Sequence, residues 1–302
     1  MSGEFDLIRW FRSQSHPNAR VVTGIGDDLA ILRWPADNLL LAGCDQVLDG
    51  VHFDSSIHTP RQIGRKAMNR NLSDCAAMAC VPAVALVSLA LPRTQSASYA
   101  KDLYTGLREA ADVFDCPIVG GDTSTWDGKL VINVTILGRT DGLAPVERSG
   151  AKVGDDIYVT GPLGASILGR HMTFAPNVAL ARILAQDGYA SAMIDLSDGL
   201  SRDIRHICYE SRVGAEIDAA AVPIHADTNR LTDGKTPLWH ALHDGEDYEL
   251  LFSSRGKDPR EDDVLKDQVF KIGKIVERLG VRINTPDGQH QLEPAGWEHG
   301  MR

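Results

Sequence analysis

The run AVALVSLAL, Ala83 to Leu91, constrains the fold more than any other stretch of the chain. A membrane-spanning helix needs about 20 apolar residues, and this run is closed off by Pro82 and Pro92 well short of that. It reads as a buried strand, and the segments around it supply a sheet. Leu39 to Asp45 and Leu130 to Arg139 are strand-like, and PIVGGD (Pro117 to Asp122) reads as a short strand running into a glycine turn. Two helical patterns alternate with them. One follows Pro60, with Ile63, Ala67, Asn71, Asp74 and Met78 on one stripe; the other runs from about Ser98 to Phe114.

The chain turns polar between Asp141 and Gly154, and a second alternation begins. DIYVTG, YELLFSS and VFKIGKIVE read as strands, and VRINTPDGQHQL as a hairpin around Pro286, Asp287 and Gly288. A helix is expected from near Asp198 to Ser211, with Leu200, Ile204, Ile207 and Cys208 inward and Gly214 as its stop. A length of 302 residues suits two domains, placed at 1–145 and 146–302. The fold class is α/β of the α+β type.

A net charge of -10 argues against a nucleic-acid binder. Five cysteines, an odd number without a CxxC pair, argue against a disulfide framework or a zinc site and suit a reducing cytoplasm. The start, MSGEFDLIRWF, has no signal-peptide core, and no membrane association is expected.

The acids carry the chemistry. Seven aspartates sit beside glycines or small residues at strand ends: Asp27 and Asp28 in GIGDD, Asp45 in GCDQ, Asp74 in NLSDCAAM, Asp122 in VGGDTS, and Asp195 and Asp198 in IDLSDGL. Short carboxylates stay where the backbone puts them, and magnesium takes oxygen ligands while sharing its shell with waters and substrate phosphates. Neighbouring glycines let a polyphosphate approach the backbone. Taken singly, each motif has a plainer reading. Asp27 and Asp28 suit a turn, the GGD of Gly120 to Asp122 a strand-end turn, and Asp198 a helix cap. His52 suits a core or surface histidine, Arg148 a solvated loop charge, Glu246 with Asp247 and Glu249 an acidic turn, and Trp297 a packing anchor. Asp74 is the exception, because its stripe would bury a lone carboxylate at a cost. The joint occurrence favours a metal–phosphate site.

GEFDLI, GIGDD, the D–GVHF spacing, NLSDCAAM, VGGDT, RSGAKVGD, VTGPLG, IDLSDGL and GEDYELLF follow one another in a single order. Together they resemble the thiamine-monophosphate kinases of the aminoimidazole ribonucleotide synthetase superfamily, from Gly3 to about Trp297. The resemblance implies a two-domain synthetase-like fold: an N-terminal mixed sheet that pairs in a homodimer, and a C-terminal α/β domain that completes an active-site cleft. It implies transfer of the γ-phosphoryl group of ATP to thiamine monophosphate, with magnesium. Residue by residue, Asp28, Asp45, Asp74, Asp122, Asp195 and Asp198 fall on metal-ligand positions. Gly121, Asp122, Arg148 and Ser197 fall on ATP positions, with Arg148 and Asp122 also catalytic, and His52, Glu246 and Trp297 on substrate positions.

The chain departs from the family pattern at three places. Gly43-Cys44 precedes Asp45 where a serine or threonine is usual, Asn69-Arg70 replaces a more apolar pair, and Asn177 stands in place of arginine. The alternative reading is a non-catalytic or altered-substrate paralogue. Selenophosphate synthetase would need a reactive cysteine before Cys44, and the hydrogenase maturation protein a C-terminal cysteine tail; this sequence has neither.

Overall fold

The computed structural model describes residues 4–25 and 30–296. The chain divides into two compact units, Met1–Cys75 with Cys80–Gly142, and Ala76–Ala79 with Leu143–Arg302.

In the first unit, α1 (Glu4–Ser13) precedes a two-stranded ribbon of β1 (Val21–Thr23) and β2 (Ile31–Leu32). β3 (Leu40–Leu48), α2 (Pro60–Ala77), β4 (Val81–Pro92), α3 (Ala97–Asp112), β5 (Ile118–Trp126) and β6 (Val131–Arg139) follow. The sheet order is β3-β6-β4-β5, with β4 and β5 parallel and the other pairs antiparallel. The AVALVSLAL run is thus an interior strand. It is buried on one face only over its second half, because Val87, Leu89 and Leu91 point inward while Leu86 and Ser88 are exposed. Strand alternation gives β3 the same split: Leu40, Ala42, Cys44 and Gln46 are exposed, and the alternate residues Leu41, Gly43, Asp45 and Val47 are covered to differing degrees. The GGD turn expected after PIV is not a turn. Gly120, Gly121 and Asp122 continue inside β5, and a Cβ on Gly121 would fall on the Val87 carbonyl, so close strand contact explains that glycine.

Helices α2 and α3 cross through glycine. A Cβ on Gly64 would meet the Leu103 carbonyl, and one on Gly106 the Arg61 carbonyl, both far inside contact distance. Ile63, Ala67 and Asn71 are buried as the stripe predicts, but Asp74 is exposed and Met78 lies beyond the helix end. The carboxylate stays hydrated although Ser73, Cys75 and Ala76 around it are buried, which is the inexpensive solution for a charged group.

The second unit is built on seven strands. They are β7 (Asp156–Val159), β8 (Ala192–Asp195), β9 (Gly214–Asp218), β10 (Leu250–Ser254), β11 (Phe270–Val276), β12 (Gly280–Thr285) and β13 (Gly288–Gln291), in the order β13-β12-β9-β11-β7-β10-β8. Only β9 and β12 pair in parallel. The helices are α4 (Val178–Gln186), α5 (Leu200–Ser211) and α6 (Pro237–His243). Leu200, Ile204, Ile207 and Cys208 of α5 join Ile157, Ile194 and Leu251 in one core, as their spacing predicts. The helix ends at Ser211 as expected, but its stop is Arg212 and not Gly214: Arg212, at φ 57°, closes it by donating its N–H to Cys208 and Tyr209, and Gly214 already belongs to β9. The β12–β13 hairpin turns over Pro286 and Asp287, with Thr285 paired to Gly288. All five cysteines are free.

Gly106→Ala should destabilise the protein by about 2 kcal/mol, since overpacking against backbone costs ~1–3 kcal/mol and outweighs the gain of under ~1 kcal/mol in helix propensity. Chemical denaturation checks this; an unchanged or raised midpoint would show that α2 and α3 can separate freely.

Candidate active site

In the first unit, β3 and α2 place two of the expected metal ligands at one corner. The Asp45 backbone N–H donates to Asn71 Oδ1 at 3.2 Å, and its carboxylate accepts from Arg70 Nε at 2.7 Å. Asp74 lies one helical turn beyond Arg70, and its Oδ2 would be 3.8 Å from a Cβ on Gly43. Glycine at 43 therefore leaves room beside that carboxylate. Cys44 points to the opposite face, where its thiol meets Asn133 and Thr135, so alternation along β3 turns the residue before Asp45 away from this corner.

Asp122 is exposed on β5 and accepts the Thr123 N–H at 2.9 Å. Asp45, Val134, Val87 and Gly121 form one row across four strands. At ~4.8 Å per strand, Gly121 lies about 14 Å from Asp45 along the sheet. The structure thus joins Asp45 with Asp74 and sets Gly121 and Asp122 apart at the far edge. Asp28 and Asp27 lie outside the described residues.

His52 is buried in the turn after β3. Its Nδ1 accepts the Leu48 N–H at 3.1 Å, which places the ring proton on Nε2. Its carbonyl accepts from the Lys66 ammonium, and Lys66 is only 1% exposed. Periodicity does not reveal Lys66, because a lysine within a helix normally reads as a solvated residue.

In the second unit, Asp195 ends β8 in a buried position, and Ser197 and Asp198 are half-buried in the loop that follows. Asp198 does not cap α5. The cap position is Gly199, which has no side chain to offer, and the acceptor comes from inside the helix: Asp203 takes the N–H groups of Asp198 at 3.0 Å and Gly199 at 3.1 Å. Burial, then the neighbouring Asp198 and Asp195 charges, hold the Asp203 carboxyl well above the usual range. Its four-residue offset from Gly199, in the first turn of α5, was the available sequence signal.

The GEDYEL segment runs beside this loop. Glu246 N–H donates to the Ser197 carbonyl and Tyr248 N–H to Leu196, both at 2.8 Å. Ser197, Asp198 and Glu246 are thereby neighbours. Glu246 Oε2 lies 3.0 Å from Nδ1 of the buried His171, and Oε1 accepts from the Tyr248 hydroxyl at 3.4 Å. Asp247 turns inward, accepting from Gly164 N–H at 2.9 Å and Arg170 at 2.6 Å. Burial pushes its carboxyl up to about 7, against the lowering influence of those two partners. Glu249, also raised by burial, accepts from Thr160 and from Asn177 at 2.7 and 3.1 Å. Asn177 thus serves the fold through Glu249.

A Cβ on Gly296 would fall on the Asp198 carbonyl, so the chain at Gly296 packs on the acidic loop. Trp297 itself lies outside the described residues. Arg148 is exposed, and its carbonyl is tied to Ser211 of α5 at 3.1 Å. Its positive charge reaches His206, whose pKa it depresses after burial does so more strongly.

Among the described residues, no three carboxylate, thiol or imidazole side chains converge as a ready metal centre. The donors present are nonetheless hard oxygens in two small groups, Asp45 with Asp74 and Asp195 with Asp198. That chemistry fits magnesium, which completes its shell with waters and phosphate oxygens.

Residues 26–140 match the family described as AIR synthase related protein, N-terminal domain. The thiamine-monophosphate kinase of Rhodopirellula baltica is 40% identical over 313 residues, covering 98% of this chain and 97% of that protein. This chain belongs to the thiamine-monophosphate kinase family. The Bacillus subtilis enzyme is 32% identical, over 98% of this chain and 99% of its own. A solved complex of AaThiL with AMPPCP and TMP is 32% identical with a TM-score of 0.78, covering 99% of this chain and 97% of that one. The hydrogenase maturation protein HypE of E. coli, 20% identical with a TM-score of 0.77 over 96% of both chains, shares the fold.

The Asp247 carboxyl gives a test of how this kinase is assembled. A carboxyl raised on folding holds its proton in the native state, so its contribution is fully present below pH ~4 and is lost as pH rises towards 7. Relative to Asp247→Asn, the wild type should lose as much as ~4 kcal/mol of unfolding free energy between pH 4 and 7.5, at 1.36 kcal/mol per unit. Urea titrations across that range measure it; parallel curves for the two proteins would place the Asp247 carboxyl at its ordinary value.

Proposed function

We propose that this chain is an ATP- and magnesium-dependent kinase that converts thiamine monophosphate to thiamine diphosphate. The observation that carries the reading is the pairing of the 196–198 loop with the 246–248 turn, which sets Ser197 and Asp198 beside Glu246. The AaThiL complex with AMPPCP and TMP, 32% identical across almost the whole chain, supports it. The retained aspartates weigh against a non-catalytic paralogue.

The acceptor is a phosphate monoester with a second pKa of ~6, so its attacking oxygen is already largely deprotonated at neutral pH. A general base is unnecessary, and the chain's task is to bring two anions together in line. Magnesium, when bound, neutralises and templates the phosphates. Asp28, Asp45, Asp74, Asp122, Asp195 and Asp198 are the carboxylates that would hold it. Gly121 meets ATP through its backbone, and Ser197 contributes from the acidic loop. Arg148, exposed and always protonated, faces the phosphoryl oxygens. His52 and Glu246 orient the thiamine moiety, and Trp297 stacks on one of its rings. Transfer is direct, with no phosphoenzyme.

The open face of the four-stranded sheet, with Leu40 56% and Leu86 37% exposed, supports a homodimer paired through this sheet. Among the described residues no helix is long and apolar enough to cross a membrane, and the free cysteines suit a cytoplasmic setting.

Purified protein with ATP, magnesium and thiamine monophosphate should form thiamine diphosphate; ATP binding without product would establish the paralogue instead. Asp74→Asn should reduce turnover about a hundredfold or more while the fold survives, because this side chain is exposed. Near-normal turnover of that variant at saturating magnesium would remove Asp74 from the ligand set.

A further inference from the structure

The Asn69-Arg70 departure acquires a role at the Asp45 corner. Arg70 Nε lies 2.7 Å from Asp45 Oδ2, and the arginine side chain is only 13% exposed, the aspartate 32%. This is not a solvated surface pair, whose geometry would be loose and whose contribution small. The next residue of the same helix, Asn71, holds the Asp45 backbone N–H. Two consecutive residues of α2 therefore grip Asp45, one at the backbone and one at the carboxylate. Asp74 follows four residues after Arg70, so the guanidinium belongs to the helical turn between two carboxylates assigned to magnesium.

A fixed cation on one oxygen of a carboxylate repels a second cation at the other. We propose that Arg70 is a resident cation of the magnesium site: it directs the Asp45 carboxylate, weakens divalent-ion binding at that residue, and supplies part of the charge neutralisation there. It is a positioning residue acting through Asp45. The proposal rests on the reading that Asp45 is a metal ligand.

The test is Mn2+ binding followed by electron paramagnetic resonance, with a non-hydrolysable ATP analogue present, on the full chain. Arg70→Met should tighten Mn2+ binding about fivefold or more, whereas Arg70→Lys, which keeps the charge, should stay near the wild type. Asp45→Asn should weaken binding, and in the double variant the tightening should vanish. Should Arg70→Met lower the melting temperature sharply, Arg70→Gln replaces it, with the same expectation. Unchanged or weaker Mn2+ binding on loss of the arginine charge, while Asp45→Asn still weakens it, overturns the proposal and leaves the metal reading standing. If Asp45→Asn binds Mn2+ as the wild type does, the assignment of Asp45 fails and the proposal fails with it.

Discussion

Two backbone hydrogen bonds, from Glu246 to Ser197 and from Tyr248 to Leu196, organise the chemistry of the second unit. They hold the GEDYEL turn against the acidic loop although Glu246 and Tyr248 both sit at positive φ, 65° and 53°, a conformation that costs of order 1 kcal/mol for a residue with a Cβ. With the backbone so placed, the three acids of the motif separate by environment. Asp247 and Glu249 are drawn into the fold by Gly164, Arg170, Thr160 and Asn177. Glu246 is half-buried on the side of Ser197 and Asp198, held by His171 and Tyr248.

In the first unit the corresponding role falls to α2. Lys66, Arg70 and Asp74 recur at four-residue spacing, which places them along one side of the helix. Lys66 fixes the His52 carbonyl, and Arg70 and Asn71 fix Asp45. The glycine crossing of α2 with α3 lets these backbones approach closely, so the helix is anchored on one side while it arranges polar groups on another. Buried lysine and arginine are tolerated because each donates to an oxygen.

Much of this was legible in advance. Short apolar runs marked β3, β4 and β6, and the 3.6-residue pattern marked the inward face of α5, because burial is written directly into residue order. The GGD segment misled for a physical reason: two glycines look like a turn, yet Gly121 is required by close approach to the Val87 carbonyl across the sheet. Asp74 misled because periodicity records which side of a helix a residue occupies, and not whether that side meets water. Asp203, Lys66 and His171 were missed because a buried polar residue is identified by its partner.

By itself, then, the sequence determined strands β3–β7 and β10–β13, helices α2, α3 and α5, the order of the acidic motifs and the family, since these depend on local pattern and on motif order. Tertiary structure alone decided that Arg70 meets Asp45, that Asp203 rather than Asp198 closes the start of α5, and that Glu246 lies beside Ser197. Each of these is a contact between groups brought together by folding, including Arg70 with Asp45 across 25 residues. Hydrogen bonds and ion pairs form only within a few ångströms, and no periodicity in the chain encodes that distance.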